Sequence, residues 1–189
     1  MTRLTLLSCI VLSGLTLPVA ADDAPAKTTE VKLRALTLQV PETWKQTPSK
    51  SSMRLATFEI PAASRDAGAG ELAVFNFGGG GGSVNANISR WVGQFDSKGR
   101  ESEVTVGEAG DQEYHVLEVS GTYNQSVGPP IRRQTKAMPD SRMLAVILQL
   151  DAGVYFLKLT GPDETVKAQA VALRESFGGD IKSEKKQGE

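Results

Sequence analysis

A chain of 189 residues has room for one ordinary domain and little for two. Lys and Arg total 21 against 22 Asp and Glu, a formal net charge of -1, which argues against both a strongly cationic nucleic-acid binder and a polyacidic chain. With 40% apolar and 23% charged residues the composition is that of a soluble globular protein. One Cys and one His exclude an intramolecular disulfide, a multi-histidine metal site and a catalytic histidine pair, and no cofactor is expected.

The first 21 residues read as an export signal. Arg3 supplies the positive n-region, Leu4 to Leu17 is apolar, and Val19-Ala20-Ala21 places small residues before Asp22 and Asp23. Cleavage after Ala21 is expected, leaving a mature chain without Cys in the periplasm or outside the cell. The alternatives are a retained anchor, for which the apolar run is short, and a lipoprotein acylated at Cys9. No other stretch is apolar enough to span a membrane. Residues 22–30 read as a flexible lead-in, 31–177 as a single domain, and 178–189 as a disordered charged tail.

Seven strands follow from period-2 alternation or short β-rich runs. They are Leu33 to Val40, Met53 to Ile60, Glu71 to Phe77, Glu103 to Val106, Tyr114 to Tyr123, Met143 to Leu150 and Val154 to Thr160. The sixth is almost continuously apolar, so it belongs at the centre with both faces covered. Asp151-Ala152-Gly153 joins the last two as a hairpin.

Two segments switch to helical spacing. In Asn85 to Ser97, the residues Ile88, Trp91, Val92 and Phe95 form one apolar stripe, with Ser83 or Asn85 able to cap the start. In Pro162 to Phe177 the stripe is Val166, Ala170, Leu173 and Phe177, and Gly178 suits the residue past the end. The order predicts an α+β domain: a mainly antiparallel sheet of about seven strands packed by two amphipathic helices.

Two local motifs carry a resemblance. Strand one closes in Val40-Pro41-Glu42-Thr43-Trp44, and strand seven runs through Leu159-Thr160-Gly161-Pro162 into the last helix. With the element order, the chain resembles the Mog1/PsbP-like α/β/α sandwich over Val31 to Phe177, in particular exported bacterial proteins carrying such domains. The resemblance implies a non-catalytic accessory or adaptor role by analogy, and it transfers no functional residue.

Gly78 to Gly82 is a run of five glycines before the first helix, and such a loop can capture an anion on bare N–H groups. Gly79, Gly80, Gly81, Gly82 and Ser83 are therefore a candidate anion or ligand loop, although Ser83 is followed by Val84 and the Lys of a P-loop is absent. Against the loop stands its reading as a flexible connection. Ser83 with His115 is a conceivable nucleophile and base, but His115 shares a strand face with Leu117 and Val119 and reads as a half-buried structural residue. Asp111 and Glu113 lie in a turn beside Gly110.

The connection Asn124 to Arg142 has no clear periodicity and gathers Arg132, Arg133, Lys136 and Arg142 against one acid, Asp140, with Ile131 to Ala137 able to extend the sheet. A connection this long suggests function or disorder. These four cations are the candidate partner-binding residues, set against a solvated hairpin. The expected function is an exported, non-enzymatic accessory or binding protein for an unknown protein or anionic ligand of the cell envelope. The alternatives are a small-molecule carrier with an apolar cavity between sheet and helices, and a hydrolase built on Ser83.

Overall fold

The computed structural model describes residues 27–49, 51–65, 67–78, 81–128, 132 and 134–188. The signal reading of residues 1–21, Cys9, Gly79, Gly80 and Arg133 lie outside the described residues. The chain runs β1 (Thr28–Leu33), β2 (Leu36–Pro41), β3 (Lys45–Thr47), β4 (Arg54–Ile60), β5 (Gly70–Asn76), α1 (Val84–Val92), β6 (Glu101–Ala109), β7 (Gln112–Ser126), β8 (Thr135–Leu150), β9 (Gly153–Pro162), α2 (Asp163–Ala168), α3 (Ala170–Ser176) and β10 (Lys185–Lys186).

Eight of these strands form one antiparallel sheet in the order β10-β6-β7-β8-β9-β5-β4-β3. The short links β6–β7, β7–β8 and β8–β9 make hairpins, as their lengths require. β8 lies inside the sheet, and Met143 to Leu148 are buried along its whole apolar run. A chain that alternates sides every residue can be apolar throughout only where both faces are covered.

One face is covered by the β1–β2 hairpin together with α2 and α3. Leu36, Leu38 and Val40 pack there with Phe58, Leu72, Val146, Leu157, Val166 and Leu173. The opposite face carries α1, where Trp91 and Phe95 meet Leu117, Val119, Met143, Ala145, Ile147 and Phe156. The arrangement is the expected α+β sandwich around a mainly antiparallel sheet.

Among the described residues ten strands stand where about seven are expected, and three local causes account for the difference. The predicted strand Leu33 to Val40 is a hairpin that turns at Arg34-Ala35, with Arg34 at φ 61. The hairpin pulls Thr28 to Glu30 of the expected flexible lead-in into β1. Trp44, at the end of the Pro-x-x-Trp motif, is buried and donates from Nε1 to Oε1 of Gln169 at 3.0 Å, after which β3 joins the sheet edge.

The third cause lies in the charged tail, where β10 forms. Arg174 on α3 and Glu184 are both buried and share a two-pronged ion pair of 2.5 and 3.0 Å. Thr105 Oγ1 donates to the same carboxylate at 2.5 Å and Tyr114 Oη at 3.1 Å. Burial, with the Glu184 charge behind it, pushes the Tyr114 phenol up to about 12. The next two residues, Lys185 and Lys186, pair with β6 and cover part of its edge.

The helices also differ from the spacing. The first stops at Val92, because Gly93 ends it and Phe95 must turn to bridge Tyr123 on β7. The last is broken in two at Gln169, the residue held by Trp44.

Candidate functional site

A cleft of about 630 Å³ opens on the α1 face of the sheet, beyond the reach of this nine-residue helix. Its floor is Thr57 and Glu59 of β4, Glu71 of β5 and Thr160 of β9. Register places Glu59, Glu71 and Thr160 in one row and Thr57, Ala73 and Lys158 in the next. Gly68 and Ala69 form one wall, and Thr165 on α2 fixes that wall by donating to the Gly68 carbonyl at 2.9 Å and accepting from Ala63 N–H. Gly161 is needed beside it, since a Cβ there would lie 2.8 Å from the Cα of Gly70.

The other wall is the outer part of the β7–β8 hairpin. The expected long connection is mostly strand: β7 continues to Ser126 and β8 begins at Thr135. The pairing slips between Gly121 and Tyr123, with Gly121 at φ 133 and Asp140 at φ 48, and the hairpin bends there into an arm. The arm is anchored on the chain after α1: Asp96 N–H donates to the Thr122 carbonyl at 2.9 Å, and Asn124 N–H to the Gln94 carbonyl at 2.8 Å. Tyr123, Gln125, Met138 and Pro139 then line the cleft.

The four predicted binding cations part company. Arg142 lies at the base of the arm, half-buried, and is ion-paired with Glu118 and, at 2.8 Å, with Asp163. Through these two pairs it braces β7, β8 and α2. Arg132 is exposed at the tip, and Lys136 is exposed directly opposite Gln125, a cleft-lining residue.

Three of the five glycines before α1 are described, and each has a steric reason. Gly78 and Gly82 have φ of 63° and 76°, and a Cβ on Gly81 would lie 2.7 Å from the Phe156 ring. The buried Asn87 side chain donates to the Gly81 and Ser83 carbonyls at 2.8 and 2.9 Å. Ser83 Oγ caps α1 by accepting from Ala86 N–H at 3.2 Å. His115 lies on β7, with Nε2 3.2 Å from Glu113 Oε1. The structure therefore gives Ser83 and His115 separate partners, and no hydrogen bond joins them among the described residues.

Two polar groups near the cleft were not singled out in the sequence. The Thr57 hydroxyl is buried with no hydrogen-bond partner among the described residues. Lys158 stands on the α1 face between Ala73 and Ala145, donating to Gln94 Oε1 at 2.6 Å and to Tyr123 Oη at 3.3 Å. Burial, then the positive charges of Arg54 and Arg90, bring Lys158 down to about 8. The signal was present: in Tyr155-Phe156-Leu157-Lys158-Leu159 a cation takes the alternation of Phe156 within a core strand.

This Lys makes stability depend on pH. Its folded pKa lies below the ordinary value of 10.5, so between about 8 and 10.5 the folded state holds fewer protons than the unfolded one, and stability rises with pH. Above about pH 10 the raised Tyr114 and Tyr123 act in the opposite sense, because the unfolded state loses those protons first. Urea midpoints of the wild type should climb from about pH 8 to about pH 10, and Lys158→Met should flatten that limb. An unchanged limb would assign the pH dependence to other groups.

Among solved structures, the chain is similar to the solution structure of cyanobacterial PsbP (CyanoP) from Synechocystis sp. PCC 6803, with 15% identity and a TM-score of 0.48 over 92% of this chain and 98% of that one. It is also similar to the crystal structure of PA94, a protein of unknown function from Pseudomonas aeruginosa, with 12% identity and a TM-score of 0.44 over 81% of this chain and 95% of that one. No protein-family model and no curated protein matches the chain.

Proposed function

We propose that the protein is an exported, non-enzymatic accessory protein that binds a small ligand in the cleft over β4, β5 and β9. The observation that carries this reading is the cleft itself, whose volume of about 630 Å³ falls in the range of small-molecule sites. A mixed lining supports it: apolar Pro48, Met138, Pro139 and Pro162 surround a few polar groups, among them the unpartnered Thr57 hydroxyl. The hydrolase alternative finds less support, because Ser83 Oγ serves as a helix cap and His115 faces Glu113. Export rests on the N-terminal residue pattern; among the described residues no helix is long and apolar enough to cross a membrane.

Native mass spectrometry of protein recovered from the cell envelope tests the reading. A bound small molecule is expected on the wild type and lost from Ala69→Trp, which places an indole in the cleft from an exposed position. A wild type without an adduct would sink the ligand reading.

A second reading has its own observation, the exposed Arg132 and Lys136 on the arm. Exposed cations speed association with an acidic partner and make it salt-dependent. Joint replacement of Arg132, Arg133 and Lys136 by Ala should change stability by no more than about 0.5 kcal/mol per site. It should weaken partner capture at low ionic strength, and full retention of capture would exclude the arm.

A further inference from the structure

Three cations meet beside the cleft, each against an aromatic ring. Arg54 of β4 lies 5.8 Å from the Phe75 ring centre, Arg90 of α1 lies 5.9 Å from that of Trp91, and Lys158 of β9 lies 5.3 Å from that of Tyr123. All three stand on the α1 face. Ala73 is the residue opposite Lys158 on β5. The groups facing Lys158 come from every element around it: Arg54, Glu71, Arg90, Gln94 and Tyr123, while β8 contributes the uncharged Ala145. Glu71 is engaged by Arg54 at 2.7 Å. Glu59 lies farther along the cleft floor, and among the described residues Arg54, Arg90 and Lys158 gather at one end of the cleft.

The group is continuous with the cleft. Tyr123, whose hydroxyl accepts from Lys158, is also a cleft wall, and Glu71, which accepts from Arg54, is also its floor. The cleft beyond them is walled by Pro48, Met138, Pro139 and Pro162. An anion would be attracted to these three cations, and an apolar body attached to it would run over Tyr123 into the cleft, away from Arg90. We infer that the cleft takes an anionic amphiphile, its acidic head at Lys158, Arg54 and Arg90 and its apolar body between the arm and the Gly68–Ala69 wall. The inference rests on the reading of the cleft as a ligand site. Lys158 is lowered by burial and by its cationic neighbours, so an arriving anion restores its proton. Binding near pH 8 therefore takes up protons.

Calorimetry with three probes tests this: decanoate, decyltrimethylammonium and inorganic phosphate. Decanoate should bind, the ammonium about tenfold or more weaker, and phosphate weaker than decanoate for want of the chain. Lys158→Met should weaken decanoate about tenfold, the scale of a lost hydrogen bond to a charged group. Arg90→Gln, a change at an exposed position, should weaken it about fivefold. Titrations near pH 8 in two buffers of different ionisation enthalpy should show proton uptake in the wild type and none in Lys158→Met. Equal binding of decanoate and the ammonium, full decanoate affinity in both variants, phosphate binding as tightly as decanoate, or no probe binding at all would each overturn the inference. Loss of both organic probes in Ala69→Trp with no effect of Lys158→Met would leave the cleft standing as a ligand site and reject the anionic head.

Discussion

Glu184→Ala is expected to lower the free energy of unfolding by about 3–5 kcal/mol, the cost of leaving a buried charge without its partner. Arg174 is buried on α3, and both of its pair contacts go to this one carboxylate. Thr105 and Tyr114 would lose an acceptor in the same step. Replacing both partners, Arg174→Met with Glu184→Leu, removes the charge as well as the bond. That double variant should recover most of the loss, because buried pairs exchanged for apolar groups are often close to neutral. Urea unfolding of the two variants decides the matter. A loss under about 1 kcal/mol in Glu184→Ala would mean that the tail detaches in solution and lets water reach Arg174.

Trp91→Ala should cost about 3–5 kcal/mol, as large aromatic truncations in a core do. The indole is buried under α1, packed edge-on against Phe156 with ring centres 6.0 Å apart. Phe156 also lies under Gly81, so the space left by the indole cannot be refilled without moving the glycine-rich loop. The cost should therefore lie toward the upper end of the range, where a site collapses poorly. Denaturant unfolding with a loss below about 1 kcal/mol would show that α1 repacks freely on the sheet.

What could be read from the residues was whatever the core repeats. Leu36, Leu38 and Val40, the apolar run of β8, and the Trp91–Phe95 stripe all carry the period of their element, and each lies where that period puts it. The arm carried no such signal because its strands run past the core and need no alternating apolar face. The Arg34-Ala35 turn contains none of the usual turn residues, so one long strand was the simpler reading. Glu184 sits in a run of charges, Lys182 to Lys186, and nothing local distinguishes a buried carboxylate from a solvated one. The cleft was hidden for another reason: its lining comes from β3, β4, β5, β7, β8 and β9, and the threonines and glutamates of its floor form no motif in the chain. Only Lys158, a cation within the alternation of a core strand, stood as a readable mark.

The strand order also sets a sequence of events in time. β6, β7, β8 and β9 are neighbours in the chain as well as in the sheet, so each hairpin closes over a short stretch. β3, β4 and β5 form a second run of chain neighbours, but joining that run to the first requires Glu71 to find Thr160 across the whole meander. Closing a long loop costs more entropy than closing a short one, so the C-terminal meander is the natural nucleus. Substitutions in β7 and β8 should slow refolding, while those in β3 and β4 should mainly speed unfolding. A ribosome delivers the strands in the reverse order. The first five emerge before β9 exists, so β5 keeps one unpaired edge on each new chain until β9 has been made.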